Sequence, residues 1–173
     1  MSEQNASAQQ VELITNGGVI MVELFPGKAP KTVANFLQFV KHGYYSEKII
    51  HRVVMGVLDQ SGLVNHKFQR GKTRPPIRSE ADNGLKNVAG TIAMSRGQCP
   101  HSAASEFFIN VADNAVLDFR DKTPNGWGYA VFGKVAAGID LVKRISAIPT
   151  TRRGNCRELP AQSVIIFRAI RIK

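Results

Sequence analysis

The chain has 173 residues, 43% of them hydrophobic, with 23 Lys and Arg against 13 Asp and Glu for a formal net charge of +10. A chain of this length forms one domain with its own core and needs no disulfide or metal to hold it. No apolar run approaches the roughly 20 residues of a bilayer-spanning helix, so no membrane association is expected, while the surplus of cations favours attraction to acidic proteins or nucleic acid.

Residues 1–10 are polar and unpatterned, with neither the basic start nor the apolar stretch of an export signal. They are expected to form a flexible tail ahead of a single domain over residues 11–173, and the missing signal points to a cytoplasmic address. The cysteines are Cys99 and Cys156, which a cytosolic chain keeps as thiols. Cys99 and His101 are close in sequence, but no further ligands stand at metal-site spacing. No metal and no cofactor is expected.

Residues 11–15 and 19–24 read as strands joined by Asn16-Gly17-Gly18, a hairpin signal because Asn and Gly tolerate positive φ. Pro30 fits the first turn of a helix in which Val33, Phe36, Leu37 and Val40 recur at helical spacing, and Gly43 marks the stop. Residues 49–55 and 57–60 read as strands broken by Gly56. The span 62–89, rich in Pro, Gly and charge, is a long connection of the kind that often carries function. Short strands are predicted over 91–95, 106–111 and 129–135. A second helix is predicted over 139–145, where Leu141, Val142 and Ile145 share a face. Residues 164–172 close the chain as a β-branched, almost continuously apolar strand. Many strands with two helices make a mainly β chain, an antiparallel barrel or a sandwich.

Two clusters of positive charge, within 65–78 and 151–157, read as solvated loops, because connections run over the surface. No recognition helix, zinc-finger spacing or stacking-aromatic motif accompanies them, so nucleic-acid and acidic partners are allowed by charge but unsupported by motif. Gly-x-Ser-x-Gly elbows, phosphate-cradling loops and dinucleotide fingerprints are missing too, which leaves hydrolase, nucleotide and redox readings without support.

The most specific signal is an ordered set: Ile50-His51-Arg52-Val53-Val54, then Gln60, then the stretch from Gly90 to Asn110 containing Glu106-Phe107-Phe108, then Gly126-Trp127-Gly128-Tyr129. In this order they resemble the cyclophilin family of peptidyl-prolyl isomerases, and the resemblance runs over about residues 11–173. It implies a closed eight-stranded antiparallel β-barrel with a helix capping each end. It also implies acceleration of rotation about Xaa-Pro bonds in proline-containing peptides and in unfolded or partly folded proteins.

Such a reaction breaks no bond. Amide resonance opposes rotation with a barrier of about 18–20 kcal/mol, and uncatalysed Xaa-Pro exchange takes roughly tens to hundreds of seconds. A fixed donor aimed at the imide nitrogen stabilises the twisted form met only midway through rotation. Arginine suits that task, being always charged and able to orient carbonyl oxygens with its planar fork. The resemblance gives this role to Arg52 and has Gln60 bond the substrate backbone. It lines the proline pocket with Phe108, Leu58 and Leu117 over a floor at Val57, borders the groove with Arg96 and Gly97, and sets Tyr129 at the rim. Glu106 and Val116 occupy the remaining positions of the site. His51 reads as structural, since the reaction moves no proton.

The chain departs from the family pattern at several of these positions. Ile50 replaces a usual Phe, Val57 an aromatic floor, Leu58 a common Met, and Asp59-Gln60-Ser61-Gly62 stands where Gln-Gly-Gly is usual. Glu106 replaces a Gln, Val116 an aromatic, and Tyr129 a residue that is often His. Valine in place of the phenylalanine floor costs about 1–2 kcal/mol of proline binding, or roughly 5- to 30-fold. Glu106 has three destinations: pairing with Arg52 and diverting its donors, pairing with Arg96, or pointing into solvent. Val116 in place of a large aromatic implies weak binding of the family's cyclic-peptide inhibitor. Three readings follow: an active prolyl isomerase and folding helper, a cyclophilin-fold module that binds proline-containing segments without turnover, and a basic scaffold for nucleic acid or acidic proteins.

Overall fold

The computed structural model describes residues 8–173, so most of the expected tail lies outside the described residues. Its last two positions, Gln9 and Gln10, already belong to the first strand. The elements are β1 (Gln9–Thr15), β2 (Gly18–Leu24), α1 (Pro30–Lys41), β3 (Lys48–Val54), β4 (Leu58–Asn65), β5 (Thr91–Met94), β6 (Phe107–Asn110), β7 (Val131–Ala137), α2 (Ile139–Ser146), β8 (Thr150–Arg153), β9 (Cys156–Pro160) and β10 (Ile165–Arg171). Eight strands close a barrel in the order β1-β10-β3-β4-β6-β5-β7-β2, with every pairing antiparallel. The choice between barrel and sandwich therefore falls to the barrel. Closure gives each of the eight barrel strands a paired neighbour on both sides, which removes the open edges that template aggregation.

Alternate residues of the strands fill the interior, among them Leu13, Val22, Ile92, Phe107 and Phe132. Helix α1 leaves the Leu24 end of β2 and adds Val33, Phe36, Phe39 and Val40 to the same core. The Phe36 ring lies 5.7 Å from Phe107 and 5.2 Å from Phe132. Helix α2 lies at the opposite end, with Leu141 against the β1–β2 turn, and buries Leu141, Val142 and Ile145. One helix thus closes each mouth.

Both ends of α1 are satisfied. Its N-terminus has Pro30 in the first turn and no side-chain cap of its own. Instead Glu80, from the long connection, accepts from the Thr32 N–H at 2.6 Å and the Thr32 hydroxyl at 2.8 Å, placing a carboxylate where the helix dipole favours one. At the C-terminus Gly43 takes φ +68°, its N–H bonding Val40 O and the next N–H, of Tyr44, bonding Phe39 O. This is a Schellman motif, and the accompanying apolar contact joins the Tyr44 and Phe39 rings at 4.7 Å.

The β1–β2 hairpin forms as expected, with the positive φ at Gly18, +134°, while two other expectations need correction. The Thr15 hydroxyl shapes the turn by donating to Gly18 O and accepting from the Gly17 N–H. The long connection starts later than residue 62, because β4 runs on to Asn65, and it is tied down by its own polar residues. Asn87, for example, bonds Asp118, Leu117 O and Tyr129 O. The second basic cluster is not a loop but the β8–β9 hairpin, paired from Thr150↔Pro160 to Arg153↔Cys156. All four residues of β8 are exposed, so no alternation marked it as a strand.

Gly62, inside β4, has φ +96°, and a Cβ there would stand 2.5 Å from Ser105 O and 3.0 Å from Glu106 Cα. Its carbonyl accepts from the Tyr44 and Ser105 hydroxyls at 3.0 and 2.9 Å. Gly62→Ala is expected to lower stability by about 1–3 kcal/mol, read as a lower urea midpoint at unchanged slope. An unchanged midpoint would mean that β4 and the 105–106 backbone separate freely.

Candidate active site

One row of cross-strand partners organises the site. Arg52 pairs with Gln60, Gln60 with Phe108, Phe108 with Ala93, and Ala93 with Val131, across β3, β4, β6, β5 and β7. Because side chains alternate along a strand, these residues face away from the barrel core, which takes their neighbours Val53, Phe107, Ile109, Ile92 and Phe132. Leu58, two residues before Gln60, shares their face.

The apolar half of this face is a separate cluster of Leu58, Ala93, Phe108 and Val131. Leu58 and Phe108 keep only 7% and 3% of their surface, so the accessible apolar surface belongs to the partly buried residues around them, including Val57, Leu117 and Tyr129. The Tyr129 ring meets Phe108 edge-on at 5.7 Å, and its N–H bonds Leu117 O at 2.9 Å. Arg96 lies over the other side of the group, its guanidinium carbon 4.7 Å from the Tyr129 ring centre. Bonds to Gly128 O and Gly97 O hold it there. Gly97 is exposed, with its N–H on the Ser102 hydroxyl. Val116 is the outlier: it lies on a short 3₁₀ turn, 88% exposed, and is not among the residues packed on the cluster.

The polar half is a chain of contacts. Arg52 Nη1 donates to Gln60 Oε1 at 3.2 Å, and Gln60 Nε2 donates to Glu106 Oε1 at 3.1 Å and to the Ser95 hydroxyl at 3.0 Å. His51 Nε2 stands 3.3 Å from the same Glu106 oxygen, while His51 Nδ1 is buried without a partner. Glu106 takes none of its three expected destinations: it pairs with His51 and accepts from Gln60. Its effect is to fix the Gln60 amide with the carbonyl oxygen toward Arg52.

The carboxylate that does reach Arg52 is Glu158 on β9, whose Oε2 accepts from Nε at 2.8 Å. Sequence reasoning missed it. Glu158 is 106 positions away and sits in a basic run, and only the unrecognised hairpin carries it to β3. With Nε and one Nη1 proton engaged, Arg52 keeps three of its five N–H donors for a ligand, and its side chain is 46% exposed.

Comparison with known proteins identifies the family of the chain. Residues 10–170 match the family model for cyclophilin type peptidyl-prolyl cis-trans isomerase/CLD. The peptidyl-prolyl cis-trans isomerase B of Escherichia coli K12 is 45% identical over 152 residues, covering 88% of this chain and 93% of the relative. The cyp18 isomerase of Streptomyces antibioticus is 48% identical over 156 residues, covering 90% and 94%. A cyclophilin type isomerase of Cryptosporidium parvum, solved in the presence of the dipeptide Ala-Pro, superposes with a TM-score of 0.75 at 26% identity, covering 94% of this chain and 98% of that one. The chain belongs to the cyclophilin-type peptidyl-prolyl cis-trans isomerase family.

Proposed function

We propose that this chain accelerates rotation about Xaa-Pro bonds with Arg52 as the catalytic donor, Gln60 as the substrate-backbone partner and the Leu58–Phe108 cluster as the proline seat. The observation that carries the reading is the shared row: a cation with free donors, an oriented amide and an apolar seat on adjacent strands of one face. The proline ring settles on the accessible edges of Val57, Leu117 and Tyr129, and the guanidinium meets the imide nitrogen as it pyramidalises. Charge placed in advance at that point costs no reorganisation during rotation. Clients are proline-containing peptides and unfolded or partly folded proteins, so the chain serves as a folding helper, with a cytoplasmic address as its working location. Among the described residues no helix is long and apolar enough to cross a membrane. The exposure of Val116 supports weak binding of the cyclic-peptide inhibitor of the family.

The test is a protease-free exchange assay on Xaa-Pro peptides, in which this protein is expected to shorten the relaxation and saturate with substrate. Binding without acceleration would replace the isomerase by the binding module. Val57→Phe, which enlarges the seat, is expected to raise kcat/KM by about 5- to 30-fold, mainly through KM. A fall in kcat/KM would mean that the added ring fills the seat instead of extending it.

A further inference from the structure

A cavity of about 790 Å³ lies immediately beside Arg52, between β3, the turn after β4 and the β8–β9 hairpin. Five cations line it: Arg52, Lys67, Arg70, Arg153 and Arg157. One carboxylate answers them, Glu158, and its Oε2 is held by Arg52. Among the described residues the other contact of this kind joins His51 to Glu106, so Lys67, Arg70, Arg153 and Arg157 face the cavity with no acidic partner.

The cations are held on built structure. The Asn65 carboxamide oxygen accepts from the N–H groups of Lys67 and Gln69, fixing the turn that carries Lys67 and Arg70. Phe68 in that turn adopts φ +61°, a left-handed conformation that costs free energy for an aromatic residue. The Arg153 guanidinium lies 4.3 Å over its ring. Leu63, Val64 and Phe68 supply the apolar part of the lining. Like charges gathered without counter-charge repel one another and are relieved by an anion.

We infer that this cavity binds acidic residues of the client chain, so that Asp or Glu flanking the proline selects the substrate. The inference deepens the isomerase reading and rests on it for the proline part. Arg52 joins the two regions, facing Gln60 through Nη1 and the cavity through its Nε pair with Glu158. A peptide lying over Gln60 runs past Arg52 into the cations. Nucleic acid fits less well: binding of single strands uses free aromatic faces as stacking platforms, and the aromatic ring lining this cavity is covered by Arg153.

The test compares Xaa-Pro peptides carrying Asp-Glu before or after the proline with their Asn-Gln counterparts. For the wild-type chain kcat/KM is expected to be about tenfold higher for the acidic peptide in one placement, an advantage that shrinks with added salt. In the triple variant Lys67→Ala, Arg70→Ala, Arg157→Ala the ratio falls to near one while the rate on the neutral peptide is unchanged. Equal rates in the wild type, or the same ratio in the variant, overturn the proposal. Anisotropy of a labelled, proline-free Asp/Glu peptide gives a second readout that needs no turnover. Wild type binds it about tenfold more tightly than the variant, and loss of isomerase activity alone leaves that result standing. Equal affinity of wild type and variant, or tighter binding of a single-stranded oligonucleotide at about 150 mM salt, overturns it.

Discussion

Arg52→Ala is expected to lower catalysed Xaa-Pro exchange by about 100-fold or more, with the urea midpoint nearly unchanged. The size follows from removing a pre-placed donor from the point where charge shifts during rotation, which typically costs about 10²- to 10³-fold. The neutrality toward folding follows from exposure. Arg52 is bound to Glu158 through a surface pair and to Gln60 through one bond, and an exposed pair contributes about 0–1 kcal/mol. Arg52→Lys separates charge from geometry: it keeps the cation but loses the planar fork, and is expected to retain only a small part of the activity. If Arg52→Ala turned over as fast as wild type, the donor role would be wrong whatever the fold.

The second large effect concerns a residue that faces the other way. Asp59 alternates with Leu58 and Gln60, pairs with Val53 and Ile109, and is 2% exposed with neither carboxylate oxygen hydrogen-bonded. Desolvation pushes its pKa up from 3.8 to about 7. The folded state therefore keeps a proton that the unfolded chain releases near pH 4, and stability falls as pH rises from about 4 to about 7. The difference corresponds to roughly 4 kcal/mol, fully expressed above pH 7. Asp59→Asn removes the titration. The wild-type-minus-variant difference in unfolding free energy should slope downward between pH 4 and 7, with the variant the more stable above pH 7. A difference flat across that range would show that water or a relaxed backbone solvates the carboxylate.

Much of the architecture was legible because burial writes a period into the chain. The stripe Val33–Phe36–Val40 and the stop at Gly43 define α1, and the run ending at Leu24 has one buried face to report. The β8–β9 hairpin was illegible for the converse reason: β8 buries nothing, so its composition is that of a basic loop. At the site, Arg52, Gln60 and Phe108 were legible together through the resemblance, and pairing register puts them in one row. The partners of Arg52 and Glu106 were not. A long flexible side chain takes whichever polar partner the tertiary fold supplies, and here those are Glu158 and His51. The burial of Asp59 could be inferred only by counting alternation from Gln60, since an acidic residue in a strand ordinarily marks its wet side.

The shared row also limits how the β3–β4 region can diversify. Inserting or deleting a single residue in the Met55–Gly56–Val57 bend would slide β4 by one place, aiming the Asp59 carboxylate outward beside Phe108 and driving the Gln60 amide into the oily interior. Length changes of two would preserve facing but move Arg52 off its partner. Homologous bends should therefore vary in composition while holding their length.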